Sequence, residues 1–144
     1  MADLVELLLS RPGLYVGPQA DPEDTSGAPP SVARVEVTPL PGRSGVMMMY
    51  EVLSGRDGVV HHEHAVLART TQGLVLVTSH SHAEVTSVLA ESEPGYFAGG
   101  EGEPFPMAIR LEVPEPGHLV YSWSYGWEEQ PLRVRDVGDL RLVS

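Results

Sequence analysis

Most of the chain consists of short stretches in which apolar and polar residues alternate. Alternation with a period of two is typical of β-strands that have one covered face. Turn segments rich in Gly and Pro, such as Glu115-Pro116-Gly117, separate these stretches. The predicted strands are Leu14–Gly17, Val32–Thr38, Val46–Leu53, Val60–Arg69, Leu74–Ser79, Ala83–Leu89, Met107–Val113, His118–Gly126, Leu132–Val137 and Leu140–Val143.

One segment near the N-terminus has helical rather than strand spacing. Leu4, Leu7 and Leu8 fall on one face of a helix predicted over Asp3–Ser10, within an N-terminal helical segment of residues 1–12. Asp3 is suited to cap the first turn, and Glu6 stands three residues later, as in a capping box. We expect this short helix to plug or flank an apolar part of the fold.

About ten short strands and one short helix limit the fold class. Parallel strands need long crossover connections, and the predicted turns are too short for them. The pattern therefore predicts an all-β protein of one domain, residues 1–144, built as an antiparallel up-and-down β-barrel or as a sandwich. A barrel would also remove exposed strand edges. Residues 19–30, rich in Asp, Glu, Ser, Gly and Pro, are predicted to form a mobile loop.

Two of the predicted strands carry bulky apolar residues that could contact a ligand. The strand that begins at His118 has aromatic residues on one face and small residues on the other. The other strand is apolar on both faces around three adjacent methionines, whose side chains adapt to irregular ligands. The alternative interpretation is that all of these residues are ordinary core. The candidate ligand-binding residues are Met47, Met49, Tyr50, Tyr121, Trp123 and Tyr125.

Five of the six histidines fall in one predicted hairpin, on either side of a turn near Thr70–Gly73. Imidazole nitrogens and carboxylate oxygens are suitable ligands for Zn, Ni, Cu or non-haem Fe. Since the chain has no Cys, these groups are the chief candidate metal ligands. The candidate metal ligands are His61, Glu63, His80 and His82.

The register of this hairpin decides which side chains meet. If Arg69 pairs with Leu74, Glu63 lies opposite His80, on the same face as the remaining two metal candidates. A slip of one residue would instead group His62 and His64 with the histidines of the second strand. The alternative to a metal site is a solvated barrel face, where histidines need no ligand.

Composition narrows the chemistry further. The chain has no Lys, Asn or Cys and a single Ile, which is typical of a GC-rich bacterial genome. Lysine and thiol nucleophiles are therefore excluded. No Gly-x-Ser-x-Gly elbow is present, and the sequence nominates no catalytic residue and no definite cofactor. These observations favour a protein that is not an enzyme.

The formal net charge of −11 bears on the choice of partner. Nucleic-acid binding requires clustered cations, and the nine Arg residues are scattered along the chain. No apolar run is long enough to cross a membrane, and the N-terminus is acidic, unlike a secretory signal. We expect a cytoplasmic protein with no nucleic-acid or membrane partner, for which a homodimer stays an option.

The segment Met49-Tyr50-Glu51, with the strand from Val59 to Arg69, resembles the nitrobindin branch of the calycin superfamily. Members of that branch have a strand ending in Tyr, a short Gly-containing turn, and a His-x-Glu strand that finishes near an Arg. His61, Glu63 and Arg69 could fill those places here. The tail, from Ile109 through Tyr121, also looks like the closing strands of such a barrel.

The resemblance implies a calycin-like barrel of about ten strands around an apolar ligand, as in fatty-acid-binding proteins, or around haem, as in nitrobindins. This chain departs from the nitrobindin pattern in two places. Tyr15, between Gly13 and Gly17, stands where those proteins have Trp, and the spacing is shifted. The axial haem histidine of nitrobindins lies near the C-terminus, and this chain has no His after His118.

Three functions follow from the sequence as expectations. The first is a small-molecule-binding barrel that holds an apolar or amphipathic ligand in its interior. The second is a metal- or haem-dependent protein that uses the histidine hairpin. The third is a non-catalytic interaction module with a filled core.

Overall fold

The computed structural model shows a closed antiparallel barrel of ten strands with one short α-helix. It describes residues 2–55, 57–99, 107–127 and 130–144. The predicted all-β barrel with an N-terminal helix is confirmed, and the sandwich is not formed. The elements are α1 (Leu4–Ser10), β1 (Gly13–Ala20), β2 (Ser31–Pro39), β3 (Gly45–Ser54), β4 (Gly58–Thr70), β5 (Gly73–His80), β6 (Ser87–Glu93), β7 (Tyr96–Gly99), β8 (Met107–Glu115), β9 (His118–Trp127) and β10 (Gln130–Leu142).

The strands follow one another around the barrel in chain order, and β1 closes the sheet by pairing with both β2 and β10. Each strand therefore runs opposite to its neighbours, and the connections alternate between the two ends of the barrel. One end carries α1 and the β4–β5 turn. At the other end, β1 leads into β2 through residues 21–30, so the predicted loop begins two residues later than expected.

The strand boundaries differ most from the prediction after residue 82. A single strand, β10, replaces the two strands predicted around Gly138, because that glycine stays paired with Tyr121 inside the sheet. Gly138 lies close to Gln19 and Ala33 in the interior, so it marks a tightly packed position of a strand rather than a turn. The short strand β7 was not predicted, and β6 begins at Ser87 rather than at Ala83.

Helix α1 covers one end of the barrel. The Asp3 carboxylate accepts a hydrogen bond from the backbone N–H of Glu6 at 2.8 Å, as the capping pattern predicts. Arg69, at the end of β4, pairs with Asp3 at 3.1 Å and fastens the helix to the barrel. No helix of the described residues is long and apolar enough to cross a membrane. The side chains that α1 buries in the barrel core are Leu4, Val5, Leu8 and Leu9.

The interior is built from alternate residues of each strand. In β4, Glu63, Ala65 and Leu67 are buried, whereas the residues between them are partly or fully exposed. Of the two registers considered for the hairpin, the structure has the one in which Arg69 pairs with Leu74. Glu63 accordingly lies opposite His80. The half of the barrel next to α1 is filled with apolar side chains, and the other half is not.

Candidate ligand-binding site

The half of the barrel opposite α1 contains a cavity of about 830 Å³ that opens to solvent. Such a volume and mixed lining are typical of small-molecule sites. The loop between β1 and β2 and the segment between β5 and β6 border its mouth. Apolar parts of its wall come from Pro29, Pro30, Val52, Val60, Val85 and Met107.

Most of the predicted aromatic residues meet in this half of the barrel. Tyr50 from β3 and Trp123 and Tyr125 from β9 line the cavity. Tyr121 is fully buried beneath them and stacks against Tyr50, with ring centroids 4.6 Å apart. The strand that begins at His118 therefore turns its aromatic face inward.

Met47 and Met49 are placed differently from the aromatic candidates. Strand β3 turns Met48 and Tyr50 inward, so its other two methionines point outward and are half-buried. Neither of them lines the cavity, which corrects the expectation that they would contact an interior ligand. The reason is the period of two along a strand, which puts neighbouring methionines on opposite faces.

A layer of hydrogen-bonded polar side chains lies between the cavity and the packed half of the barrel. The Tyr50 hydroxyl donates to Oε1 of Gln19, and the Tyr121 hydroxyl donates to Oε1 of Glu63. The Thr78 hydroxyl donates to Oε2 of Glu63 at 2.7 Å. All five side chains are buried, and only Tyr50 and Gln19 reach the cavity surface. We call these five residues the polar floor.

Glu63 is the most unusual titratable group of the polar floor. Burial raises the pKa of its carboxyl from 4.5 to about 7, although the hydrogen bonds from Tyr121 and Thr78 lower it in part. The indole N–H of Trp123 also lowers this pKa, without forming a hydrogen bond of normal geometry. Glu63 is thus tied to hydroxyl groups inside the barrel and not to the histidines.

Three histidines form a cluster at the cavity wall. The ring centroids of His61 and His82 are 5.2 Å apart, and those of His61 and His80 are 5.8 Å apart. His82 lies in the turn after β5 rather than in the strand pairing that the sequence predicts. Its ring reaches the cluster from that turn. Nε2 of His61 is buried and has no hydrogen-bond partner among the described residues.

Two of these rings, those of His61 and His80, favour the neutral form. Burial, together with the nearby His82 and His80, lowers the pKa of His61 from 6.5 to about 4. Burial and His82 also lower the pKa of His80. A neutral imidazole can accept a hydrogen bond or coordinate a metal through its unprotonated nitrogen.

The predicted metal set does not come together as one site. Within residues 2–55, 57–99, 107–127 and 130–144, no three His, Asp or Glu side chains are arranged to hold a metal ion. Glu63 lies below the cavity in the polar floor, while His61, His80 and His82 line the cavity wall. Glu63 and the histidines are separated because a hydrogen bond from the Tyr121 hydroxyl, rather than one from an imidazole, offsets the cost of burying the Glu63 carboxyl group.

The remaining two histidines of the hairpin face away from the cavity. Nε2 of His62 and Nε2 of His64 lie 3.1 Å apart on the outer face of β4, and His62 also approaches Glu51 at 3.9 Å. The slipped register that would group them with the histidines of β5 is not formed.

Carboxylates supply the remaining charge around the cavity. Asp21, Asp24 and Asp136 belong to its lining. Arg133 binds Asp21 through two hydrogen bonds of 3.0 and 3.1 Å and also pairs with Glu23 at 2.8 Å. Asp136 lines the cavity from β10, and burial raises its pKa. The cavity therefore carries acidic groups close to aromatic ones.

Sequence reasoning missed Gln19, Thr78 and Asp136. Thr78 shares a face of β5 with the buried Leu76, so the period of two contained a signal for it. Gln19 and Asp136 come from β1 and β10, which meet only where the barrel closes. No local pattern marks them.

No protein-family model matches this chain, and no curated protein does so either. Among solved structures, it is similar to the crystal structure of Rv2717c from M. tuberculosis, with a TM-score of 0.64. The likeness covers 99% of this chain and 100% of that chain, at 17% sequence identity. At this identity the likeness shows the barrel fold and nothing of the ligand.

Proposed function

We propose that this protein binds a small amphipathic molecule, with its apolar part in the barrel cavity and its polar part against the polar residues of the cavity wall. The observation that carries the proposal is the cavity of about 830 Å³ in an otherwise packed barrel. Interiors are normally filled to crystal-like density, so a void of this size in one half of a barrel requires an explanation.

The lining supports an amphipathic rather than a purely apolar ligand. Val52 and Met107 present apolar surface, while Tyr50 and His61 present polar groups on the same cavity. The unpartnered Nε2 of His61 provides a hydrogen-bonding position that a ligand could occupy. A buried polar atom without a partner costs about 1–3 kcal/mol, which a ligand hydrogen bond would offset.

A calycin-like, nitrobindin-like assignment is part of this proposal. The ten-stranded meander and the His61-x-Glu63 strand fit it, and such barrels hold ligands in their interior. The bacterial origin and cytoplasmic location expected from the sequence belong to the same proposal. No step of a reaction follows from this geometry.

Binding of a neutral fluorescent dye tests the proposal. We expect Nile red to bind the wild-type protein at a ratio of about one to one, because one cavity is open to it. Val52→Phe should weaken dye binding by about tenfold or more, since the ring occupies cavity volume. Leu53→Phe is the matched control, because Leu53 is the next residue of β3 and does not line the cavity. Absence of dye binding by the wild type, or equal loss in both variants, would favour an interaction module.

A second candidate function is coordination of haem iron or a transition metal by a cavity histidine. The observation that favours it is the neutral His61, whose buried Nε2 has no partner. Haem held by a late histidine does not fit, because His118 lies at the α1 end of the barrel and binds Asp139 there. The residues that could hold the iron are therefore His61, His80 or His82, and one axial imidazole is sufficient for haem.

Titration with haemin and with Zn²⁺ tests this candidate. Coordination predicts a shifted Soret band, or a raised melting temperature with Zn²⁺, in the wild-type protein and loss of either effect in His61→Gln. His64→Gln is the matched control, since His64 is on the outer face of the same strand. Equal responses in both variants would contradict coordination by His61.

A further inference from the structure

The charges around the cavity indicate what kind of polar group the ligand carries, and this inference rests on the proposed function. Among the described residues that line the cavity, three are Asp and none is Arg, and the chain has no Lys. Proteins usually recognise a buried carboxylate ligand through a charged donor such as Arg. A fatty-acid anion would find no such partner on this lining.

The inner wall beside His61 is aromatic rather than cationic. The His61 ring packs edge to face against Tyr50 and Trp123, with ring centroids 5.4 and 5.6 Å apart. Its Nε2 is buried, with no hydrogen-bond partner among the described residues. An anionic head group placed here would lose its hydration without gaining a cation.

Asp136 is the acidic group best placed to meet a ligand. It lies on β10 opposite Trp123 of β9, is half-buried, and makes no hydrogen bond or ion pair with the described residues. Asp21 at the end of β1 and the phenol groups of Tyr50 and Tyr125 face the same region.

Two arginines on the same strand lie near Asp136 but have other partners. The guanidinium of Arg133 is bound by Asp21 and Glu23. Arg135 donates to the backbone carbonyls of Tyr125 and Pro131. Neither arginine lines the cavity. The carboxylate of Asp136 therefore lines the cavity and forms no ion pair with the described residues, although the charges of Arg133 and Arg135 lower its pKa in part.

Aromatic rings flank this carboxylate. Trp123 is its partner across the β9–β10 ladder, and Tyr125 lines the cavity two residues further along β9. The faces of indole and phenol rings attract cations, with a free energy of about 0.5–2 kcal/mol per contact. The ring of Tyr125 already has one cation over it, since Cζ of the Arg135 guanidinium lies 5.3 Å from the ring centroid. A carboxylate beside two such rings at the cavity surface is an arrangement that suits an organic ammonium group.

We propose that the cavity selects molecules with a cationic head, an amine or quaternary ammonium group on an apolar body, over molecules with a carboxylate head. Asp136 is the counter-ion, and Trp123 and Tyr125 contact the head group. The apolar body lies against Val52 and Met107.

Three probes with the same alkyl chain test this selectivity by calorimetry at pH 7.4, below their micellar concentrations. They are dodecyltrimethylammonium, dodecanol and dodecanoate. We expect the ammonium probe to bind about tenfold tighter than dodecanoate, with dodecanol between them. Asp136→Asn should weaken the ammonium probe by about tenfold and leave dodecanol unchanged.

Asp139→Asn is the matched control, because Asp139 is exposed on the outer side of the same strand, where it pairs with His118 away from the cavity. Like Asp136→Asn, it removes one negative charge from a protein whose net charge is −11. Its effect on binding therefore measures the non-specific attraction between the ammonium probe and the charge of the whole protein. If it weakens the ammonium probe as much as Asp136→Asn does, the assignment of Asp136 is overturned.

Two further outcomes separate this inference from the proposed function. Dodecanoate binding as tightly as the ammonium probe overturns the inference while the proposed function stands. Binding of none of the three probes overturns both. The comparison of probes on the wild-type protein keeps the inference testable even if Asp136→Asn does not fold.

Discussion

Glu63 illustrates at the scale of one residue how the barrel interior sets chemistry. Its carboxyl group has no solvent exposure, and its partners are the hydroxyl groups of Thr78 and Tyr121. Hydrogen bonds from neutral donors stabilise the carboxylate less than a cation would, so burial dominates and the pKa rises.

This shift makes stability depend on pH in a defined direction. The pKa of Glu63 is about 7 in the folded state against 4.5 ordinarily, so the folded protein holds this proton more tightly than the unfolded chain. The contribution of Glu63 to the free energy of unfolding is therefore full below pH 4.5, falls as the pH rises to 7, and is constant above that. At about 1.4 kcal/mol per pKa unit, the loss is about 3 kcal/mol.

We predict that Glu63→Gln removes this dependence, since an amide does not titrate but can still accept one hydroxyl hydrogen bond. The measurement is urea unfolding of both proteins at pH 5 and at pH 8. The wild type should lose about 2–3 kcal/mol more than the variant between these two values, because part of the contribution is already lost at pH 5. Glu112→Gln, an exposed position on β8, is the control and should follow the wild type. Parallel curves for the wild type and Glu63→Gln would contradict the raised pKa.

At the scale of one element, α1 shows how a short helix gains stability from packing. Its seven residues are too few for a stable isolated helix. Leu8 is fully buried and belongs to the barrel core, whereas Leu7 is only half-buried. The sequence predicts the helix and its cap correctly, but its leucine spacing does not reveal that Val5 and Leu9 are buried instead of Leu7.

We predict that Leu8→Ala lowers the free energy of unfolding by about 2–5 kcal/mol, because it leaves a void where α1 meets the core. Leu7→Ala should cost clearly less, since that side chain retains contact with water in the folded state. Chemical denaturation measures both values. Nile red binding should survive in Leu8→Ala, because α1 lies at the opposite end from the cavity. Equal destabilisation by the two substitutions would show that α1 does not pack as described.

At the scale of the whole molecule, the barrel divides into a packed half and a hollow half. The β1–β2 loop lies over the hollow half, and Arg133 of β10 holds the start of this loop through Asp21 and Glu23. These ion pairs are partly exposed, so solvent screens them and they contribute little to global stability. Their effect is local, at the entrance to the cavity.

We predict that Arg133→Gln speeds amide hydrogen exchange in residues 22–30 while the melting temperature changes little. The loop then loses its ion pairs to β10 without loss of core packing. Exchange measured by mass spectrometry should show the change in peptides of this loop only. Arg141→Gln, which removes a pair with Glu115 at the α1 end, is the control and should leave the loop unaffected. Unchanged exchange in the first variant would show that Arg133 does not hold the loop.

The sequence by itself determined the all-β architecture and the capped helix, and it narrowed the register of the β4–β5 hairpin to two alternatives. These are local properties, because alternation, turn residues and capping act over a few positions. The sequence could not decide which face of a strand points inward, since a period of two distinguishes two faces without naming the inner one. For this reason Met47 and Met49 were expected in the cavity and lie outside it.

Only the tertiary structure decided the composition of the site. Closure of the barrel brings Asp136 of β10 close to Gln19 and Asp21 at the end of β1, more than a hundred residues away. It also buries Glu63 under the cavity while leaving His61, two residues earlier on the same face, at the cavity wall. The physical reason is that closure of the sheet decides how deep each side chain lies along the barrel axis and which side chains from distant strands come close together. No local pattern in the chain contains this information.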